Sequence, residues 1–181
     1  MCRLVIRPQA LNCVVNNACR NKWLIIKNMF DNSQPFLDVN GVEHRPQPDE
    51  SITWRISAYA VVVHKNKVLL VKEAWSDSYE LPGGGIESGE LVTDGVVREC
   101  EEEASVSITL TSRTPLHLHQ SRFVYTKDDH KSFHNSLCLF FKAKPKAVEK
   151  EIANQAVWLP KEEIKNTPIQ AMHLDALKLT V

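Results

Sequence analysis

The sequence has no surplus charge of either sign. Its 22 Lys and Arg residues are matched by 22 Asp and Glu, a net charge of zero over 181 residues. That argues against a nucleic-acid polymer or an acidic membrane surface as the main partner, because both are held chiefly by excess Lys and Arg. No apolar run approaches the roughly 20 residues of a membrane-spanning helix. At the start, MCRLVIRPQALNCVVNNACRNKW carries a basic residue at Arg3, but Pro8, Asn12, Asn16 and Asn17 break any continuous signal core. Cysteine is limited to five residues, odd in number and irregular in spacing. That excludes a disulfide framework and points to reduced thiols in a cytoplasmic protein. Cys2, Cys13 and Cys19 have neither the spacing nor the histidine neighbours of a zinc site. Internal repeats and low-complexity segments are absent. Glycine is scarce as well, six residues in all, and three of them stand together as Gly83, Gly84 and Gly85.

Those three glycines open the stretch around which the chain is organised, LPGGGIESGELVTDGVVRECEEEASV from Leu81 to Val106. A glycine-rich turn leads into a helical pattern that Ser88 or Gly89 can cap, with Glu90 in a first turn where the helix dipole favours a negative side chain. At about 100° per residue, Thr93, Val96, Val97, Cys100 and Ala104 fall on one apolar arc. Glu99, Glu102 and Glu103 fall on the arc beside it, at i, i+3 and i+4, while Glu101 points away. Like charges at that spacing repel by a few tenths of a kcal/mol per pair, and Arg98 offsets only part of this. A solvated acidic helix face is the ordinary explanation for such a run. The glycine turn at a set distance upstream argues for a different one. A hard cation such as Mg²⁺ or Mn²⁺ takes carboxylate oxygens and keeps positions open for water and phosphate oxygens. Glycines let the backbone reach that cation and a diphosphate without interference from Cβ atoms.

The stretch resembles the Nudix box, G-x5-E-x7-R-E-U-x-E-E-x-G-U, where U is bulky and apolar. Gly84, Glu90, Arg98, Glu99, Glu102, Glu103 and Val106 are all in register with it. Cys100 stands where an aliphatic is usual and Ser105 where the last glycine is usual. Cys100 is a small apolar substitute on the buried arc. Ser105 follows the helix, so its effect falls on the C-terminal cap rather than on the chemistry.

The rest of the chain reads as one domain with an extension. Residues 1–50 form the extension, with the first 20 to 28 residues poorly ordered. KWLIIKN (22–28) suggests a short strand, and FLDV and VEHR flank Asn40-Gly41 as a hairpin. From Ser51 to Val181 the pattern is that of the main domain. ISAYAVVVH and VLLVKEA read as strands buried on both faces and joined by a polar turn. Further strands follow at Val106–Leu110, Arg122–Thr126, Ser136–Lys142 and Ala156–Pro160, with KDDHKSFHN as a polar hairpin loop. A short helix or turn runs from Pro160 to near Asn166. A terminal helix begins with Thr167 as N-cap and Pro168 in first position, with Ile169, Met172, Leu174, Leu177 and Leu179 on its apolar face. Strands interleaved with two helices make an α/β sandwich with a mixed sheet. The resemblance implies the same architecture, the Nudix α/β/α sandwich.

It also implies a reaction, hydrolysis of a nucleoside diphosphate linked to another group X. Glu102 and Glu103 are then the firmest ligands of Mg²⁺ (or Mn²⁺). Glu99 is a ligand or the base, and a backbone carbonyl of Gly83 or Gly84 is a further ligand. Arg98 and Glu90 pair to orient the cluster, the bland alternative being a helix-surface salt bridge. An acid, base or additional ligand from outside the box is expected at Glu151, with Asp128 and Asp129 next. His117 and His119 share a strand face, as a zinc pair would, although surface histidines are the commoner case. Tyr125, Phe123, Trp75 and Tyr79 could stack on a base or simply fill the core. The substrate candidates are ADP-ribose, nucleotide sugars and (d)NTPs. Many members of the family are dimers, which adds a homodimer to the options. The alternative is a Nudix-fold module that binds a nucleotide without cleaving it. The catalytic reading requires carboxylates that converge beside the glycines with room for an ion, rather than ones locked into ion pairs with lysines and arginines.

Overall fold

The computed structural model describes residues 34–38, 41–72, 74, 76–127, 130–147 and 151–180. The expected strand at 22–28, Asn40, Trp75, Asp128 and Asp129 lie outside them. The hairpin is present as β1 (Phe36–Leu37) and β2 (Glu43–His44), paired antiparallel, with Gly41 at φ 77° in the bend. β1 also runs parallel to a later strand, Leu37 opposite Phe123, so the hairpin joins the main sheet.

β3 (Ile52–His64) and β4 (Lys67–Val71) form the central hairpin. Lys65 and Asn66 turn it with φ of 43° and 63°, the left-handed pair that matches strand twist. Ser57 to Val62 and Val68 to Val71 are buried at consecutive positions, as strands covered on both faces must be. The three glycines form a strand, β5 (Gly83–Gly85), antiparallel to Ser57–Tyr59 of β3, where a turn was expected. Glycine has poor intrinsic strand preference, so the pairing with β3 is what straightens this segment.

The helix α1 spans Val92–Ala104, starting later than Ser88 or Gly89 would set it. Leu91 occupies the N-cap without a side-chain bond, and Glu90 stands in the turn before the helix. Val96, Cys100 and Ala104 are fully buried against Ala58, Ala60, Val62, Leu69, Val71 and Phe141 on one face of the sheet. Burial of a single valine side chain there contributes about 1.5–3 kcal/mol. Ser105 ends the helix at φ 54°, and its N–H donates to Glu101 O, so a serine takes the left-handed conformation in which glycine is easier.

β6 (Ile108–Leu110), β7 (His117–Lys127), β8 (His130–Pro145) and β9 (Ala156–Pro160) complete the sheet. The strand order is β2-β1-β7-β8-β3-β4-β9, with β5 on β3 and β6 on β8. β3 and β8 are parallel over eleven registered pairs, which makes the sheet mixed. His130 to Asn135, expected in a loop, belong to β8, and Phe133 is buried there at 1% exposure. Alternation of buried Phe133 and Asn135 with the more exposed Ser132 and His134 extends the strand to the tip.

A 3₁₀ helix (Lys161–Asn166) leads to α2 (Ala171–Leu177), which begins at Gln170 rather than at Thr167. Thr167 instead donates its hydroxyl to Glu163 O. α2 covers the other face of the sheet with His173, Ala176 and Leu177, while Leu179 is exposed. Helices on both faces of one mixed sheet give the α/β sandwich. No helix among the described residues is long and apolar enough to cross a membrane.

Candidate functional site

Helical periodicity puts Glu99, Glu102 and Glu103 on one flank of α1, and packing of α1 against β3 brings that flank to β5. Glu103 Oε2 accepts the Gly83 N–H at 2.9 Å. A Cβ on Gly84 would lie 2.8 Å from Glu99 Oε2, so the missing side chain is what lets that carboxylate close on the backbone. Glycine is needed at Gly83 for another reason. Its φ is +148°, and a Cβ there would meet the Ala58 carbonyl at 2.2 Å.

Arg98 sits at the centre. Its Nε and Nη2 donate to the two Glu90 oxygens at 3.2 and 2.7 Å. Nη1 donates to Glu99 and Glu102, each at 3.0 Å, and Nη2 also reaches Gly85 O at 3.3 Å. All five N–H donors of the guanidinium are therefore engaged. Gly95 makes room for this, since a Cβ there would strike Ile86 at 2.6 Å and Glu90 at 2.8 Å. The bond from Arg98, and after it the Glu87 N–H, hold the Glu90 carboxyl below its ordinary range. Glu90 in turn does most to raise the Arg98 pKa. Burial, with the charges of Glu103 and Glu101, pushes the Cys100 thiol up to about 12, which makes it a packing group and no nucleophile.

Glu99 and Glu103 converge on the glycines, but as placed Glu99 and Glu102 are paired with Arg98. Among the described residues no three carboxylate, imidazole or thiol side chains surround a common point as an ion's ligands do. The set nevertheless fits a hard divalent cation in chemistry and location. Every donor is a carboxylate oxygen, and all three side chains stand on one helix flank. Glu102, 58% exposed, can leave Arg98 for an ion at little cost.

Glu151 is exposed in the segment after β8, where the Ala153 N–H donates to Ala104 O and ties that segment to the C-terminal end of α1. His117 and His119 do share a strand face, with ring centroids 6.4 Å apart. Phe123 stacks on His134, Tyr125 is 60% exposed, and Tyr79 is half-buried beneath Lys72. His130 is exposed at the start of β8.

Comparison with known proteins decides the family. The NUDIX domain profile matches residues 53–179. This chain belongs to the NUDIX family. Two curated relatives are similar to it. One is an RNA pyrophosphohydrolase of Ruthia magnifica subsp. Calyptogena magnifica, 43% identical over 54 residues, 28% of this chain and 30% of that protein. The other is Nudix hydrolase 2 of Arabidopsis thaliana, 27% identical over 139 residues, 68% of this chain and 46% of that protein. The Nudix chain thus spans less than half the length of either relative. Among solved structures, a NUDIX-family hydrolase from Clostridium perfringens superposes with a TM-score of 0.55 at 22% identity, covering 70% of this chain and 98% of that one. That likeness establishes the fold.

Two contacts near the Nudix box were not anticipated. Arg55 of β3 lies over Gly85, with Nη2 2.3 Å from where a Cβ would stand. Strand alternation from Thr53 to Tyr59 would have put it on the face opposite α1. The terminal segment is also strapped to the residues that lead into the glycines. Tyr79 N donates to Pro168 O at 2.8 Å, Gln170 N to Tyr79 O at 3.1 Å, and Leu81 N to His173 Nδ1 at 3.2 Å. No sequence signal links segments some 90 residues apart.

Proposed function

We propose that this chain is a divalent-metal-dependent hydrolase that cleaves the pyrophosphate bond of a nucleoside diphosphate linked to another group. The observation that carries the reading is the closure of Glu99 and Glu103 on Gly84 and Gly83. It brings carboxylates from one helix to a backbone that presents no side chains. Glu99, Glu102 and Glu103 would hold Mg²⁺ or Mn²⁺. The ion supplies electrostatic stabilisation of a phosphoryl group and activation of water. Arg98 supplies the positive charge that lets the carboxylates stand together, and Glu90 holds Arg98 in place through two bonds. Gly83 N–H fixes the Glu103 rotamer. Glu151 is the candidate acid or base from outside the box.

The name of one relative, RNA pyrophosphohydrolase, supports cleavage of a pyrophosphate bond, and that of the other, Nudix hydrolase 2, supports hydrolysis. The substrate class proposed is ADP-ribose, nucleotide sugars or (d)NTPs, acted on in the cytoplasm. The test is release of phosphate or nucleotide from that panel with Mg²⁺ and with Mn²⁺. Turnover that depends on added ion and disappears in Glu102→Gln and Glu103→Gln supports the assignment. A variant of either glutamate with near-full activity removes it. The pairing of Glu99 and Glu102 with Arg98 favours a second reading, a module that binds a nucleotide without cleaving it. Tight nucleotide binding with no turnover on any ion would select that alternative.

A further inference from the structure

The carboxylates use one face of the sheet beside the glycine strand, and the opposite face carries its own set of groups. Paired positions on neighbouring strands project on the same side. Strand register therefore aligns Phe123, His134 and Thr53 in a row across β7, β8 and β3. The next row is Ser121, Ser136 and Arg55, and the one after is His119, Cys138, Ser57 and Gly85. The Phe123 and His134 rings are stacked, with centroids 4.9 Å apart and planes 18° apart. Burial, then the charge of Arg55, lowers the His134 pKa, so this ring stacks as a neutral aromatic. Tyr125, one place further along the same face of β7, is exposed. The Ser57 and Ser136 hydroxyls, bonded to each other at 2.9 Å, form a buried polar floor.

Arg55 joins the two ends of this face. Its guanidinium carbon is 5.7 Å from the centre of the Phe123 ring, and its Nη2 lies against Gly85. The contrast with Arg98 is informative. Arg98 has every donor matched, whereas Arg55 is half-buried and, among the described residues, no carboxylate stands within ion-pair distance of it. A partly buried cation without a counter-charge costs stability. Beside it His134 Nδ1 is buried without a hydrogen-bond partner among the described residues. Two unmatched polar groups and a stacked ring pair next to a glycine strand suit one ligand chemistry. A guanidinium takes two phosphate oxygens at once, and a ring face takes a heteroaromatic base.

We propose that this face holds the nucleoside end of the substrate, with Arg55 on a phosphate and the base on the Phe123–His134 stack. Among the described residues β5 pairs with β3 alone, so it is an edge, and a phosphate chain can pass over it from Arg55 to the carboxylate side. This rests on the pyrophosphohydrolase reading and specifies where that substrate lies.

The experiment is calorimetric binding of ADP, UDP and inorganic pyrophosphate to the full chain in EDTA, so that no ion contributes. Wild type is expected to bind at least one of the two nucleotides. Phe123→Ala, or Phe123→Leu if the alanine variant does not fold, should weaken nucleotide about tenfold or more and leave pyrophosphate unchanged. Arg55→Gln should weaken both while leaving the melting temperature unchanged or higher, because it removes an unmatched cation. Unaltered nucleotide affinity in Arg55→Gln, or a clear drop in its melting temperature, overturns the proposal. So does wild type that binds neither ADP nor UDP. Glu103→Gln separates the two readings. If it hydrolyses normally while nucleotide binding still follows Arg55 and Phe123, the carboxylate assignment fails and this one stands.

Discussion

Replacement of Gly84 and of Gly83 by alanine should separate activity from stability within two adjacent residues. At Gly84 the new Cβ would sit 2.8–2.9 Å from the three carboxyl atoms of Glu99 and from no backbone atom among its nearest neighbours. Those atoms are the end of a flexible side chain, so Glu99 can swing away. The loss of its 3.0 Å bond to Arg98 is a net cost of about 1–2 kcal/mol for a largely buried charged pair. Stiffening of the unfolded chain by Gly→Ala returns about 0.4–1 kcal/mol. The expected net loss is about 0–1.6 kcal/mol, at most roughly 3–6 °C in Tm for a chain of this size. Activity should fall about a hundredfold or more, because a displacement of about 1 Å in a reacting group costs that much. At Gly83 the Cβ would meet Ala58 O at 2.2 Å and Tyr59 Cα at 2.6 Å, both backbone, with φ at +148°. β5 would have to leave β3, and destabilisation should exceed about 3 kcal/mol. Thermal melts of both variants, beside hydrolysis rates on the best substrate of the panel, test this. A Gly84→Ala enzyme with full activity, or one as unstable as Gly83→Ala, would refute the reasoning.

Other outcomes follow from the same geometry. Glu103→Gln keeps an oxygen for the Gly83 N–H, so its Tm should stay near wild type while turnover falls at least a hundredfold; EDTA should do the same to the wild-type enzyme. Arg98 lowers the Glu90 pKa from its ordinary 4.5, which makes the pairing stabilising above that pH and lost as pH falls through the lower native value. The Tm gap between wild type and Arg98→Gln should therefore be widest near neutrality and shrink below about pH 4.5. Burial pushes His173 down from 6.5 to about 3. The unfolded chain thus binds the extra proton between those limits, and stability falls with pH by up to about 1.4 kcal/mol per unit below 6.5. His173→Asn, whose side-chain oxygen can accept from Leu81 N, should flatten the pH dependence of Tm from 6.5 to 4. Equal slopes for the two proteins would remove His173 from the account.

Local chemistry made much of the molecule readable from its residues. Alternation and turn residues marked the β3–β4 hairpin and β9, and the Asn40-Gly41 signal marked a hairpin whose strands are present. Carboxylates at i, i+3 and i+4 had to share a flank of α1 once that helix formed. Boundaries were harder, because they depend on what a segment packs against. His130 to Asn135 are polar enough for a loop, yet the registered partner strand β7 keeps them extended. Thr167-Pro168 has the composition of a helix start, but the bonds from Tyr79 to Pro168 and from Gln170 to Tyr79 hold that segment extended until Gln170. The glycine triplet looked like a turn and is a strand, since β3 supplies the hydrogen bonds that its own residues cannot favour.

The sequence by itself therefore determined which charged groups are present on which face of which element, because those relations follow from periods of 3.6 and 2 residues along the chain. Only the tertiary structure decided which of them meet. Glu103 reaches Gly83 across twenty residues, and Leu81 reaches His173 across ninety-two. Arg98 engages four partners at once, whereas Arg55, with the same side chain, is left beside a glycine without a counter-charge among the described residues. Those differences come from sheet register and helix docking. Burial of apolar side chains across the whole domain sets both, and no short stretch of residues encodes either.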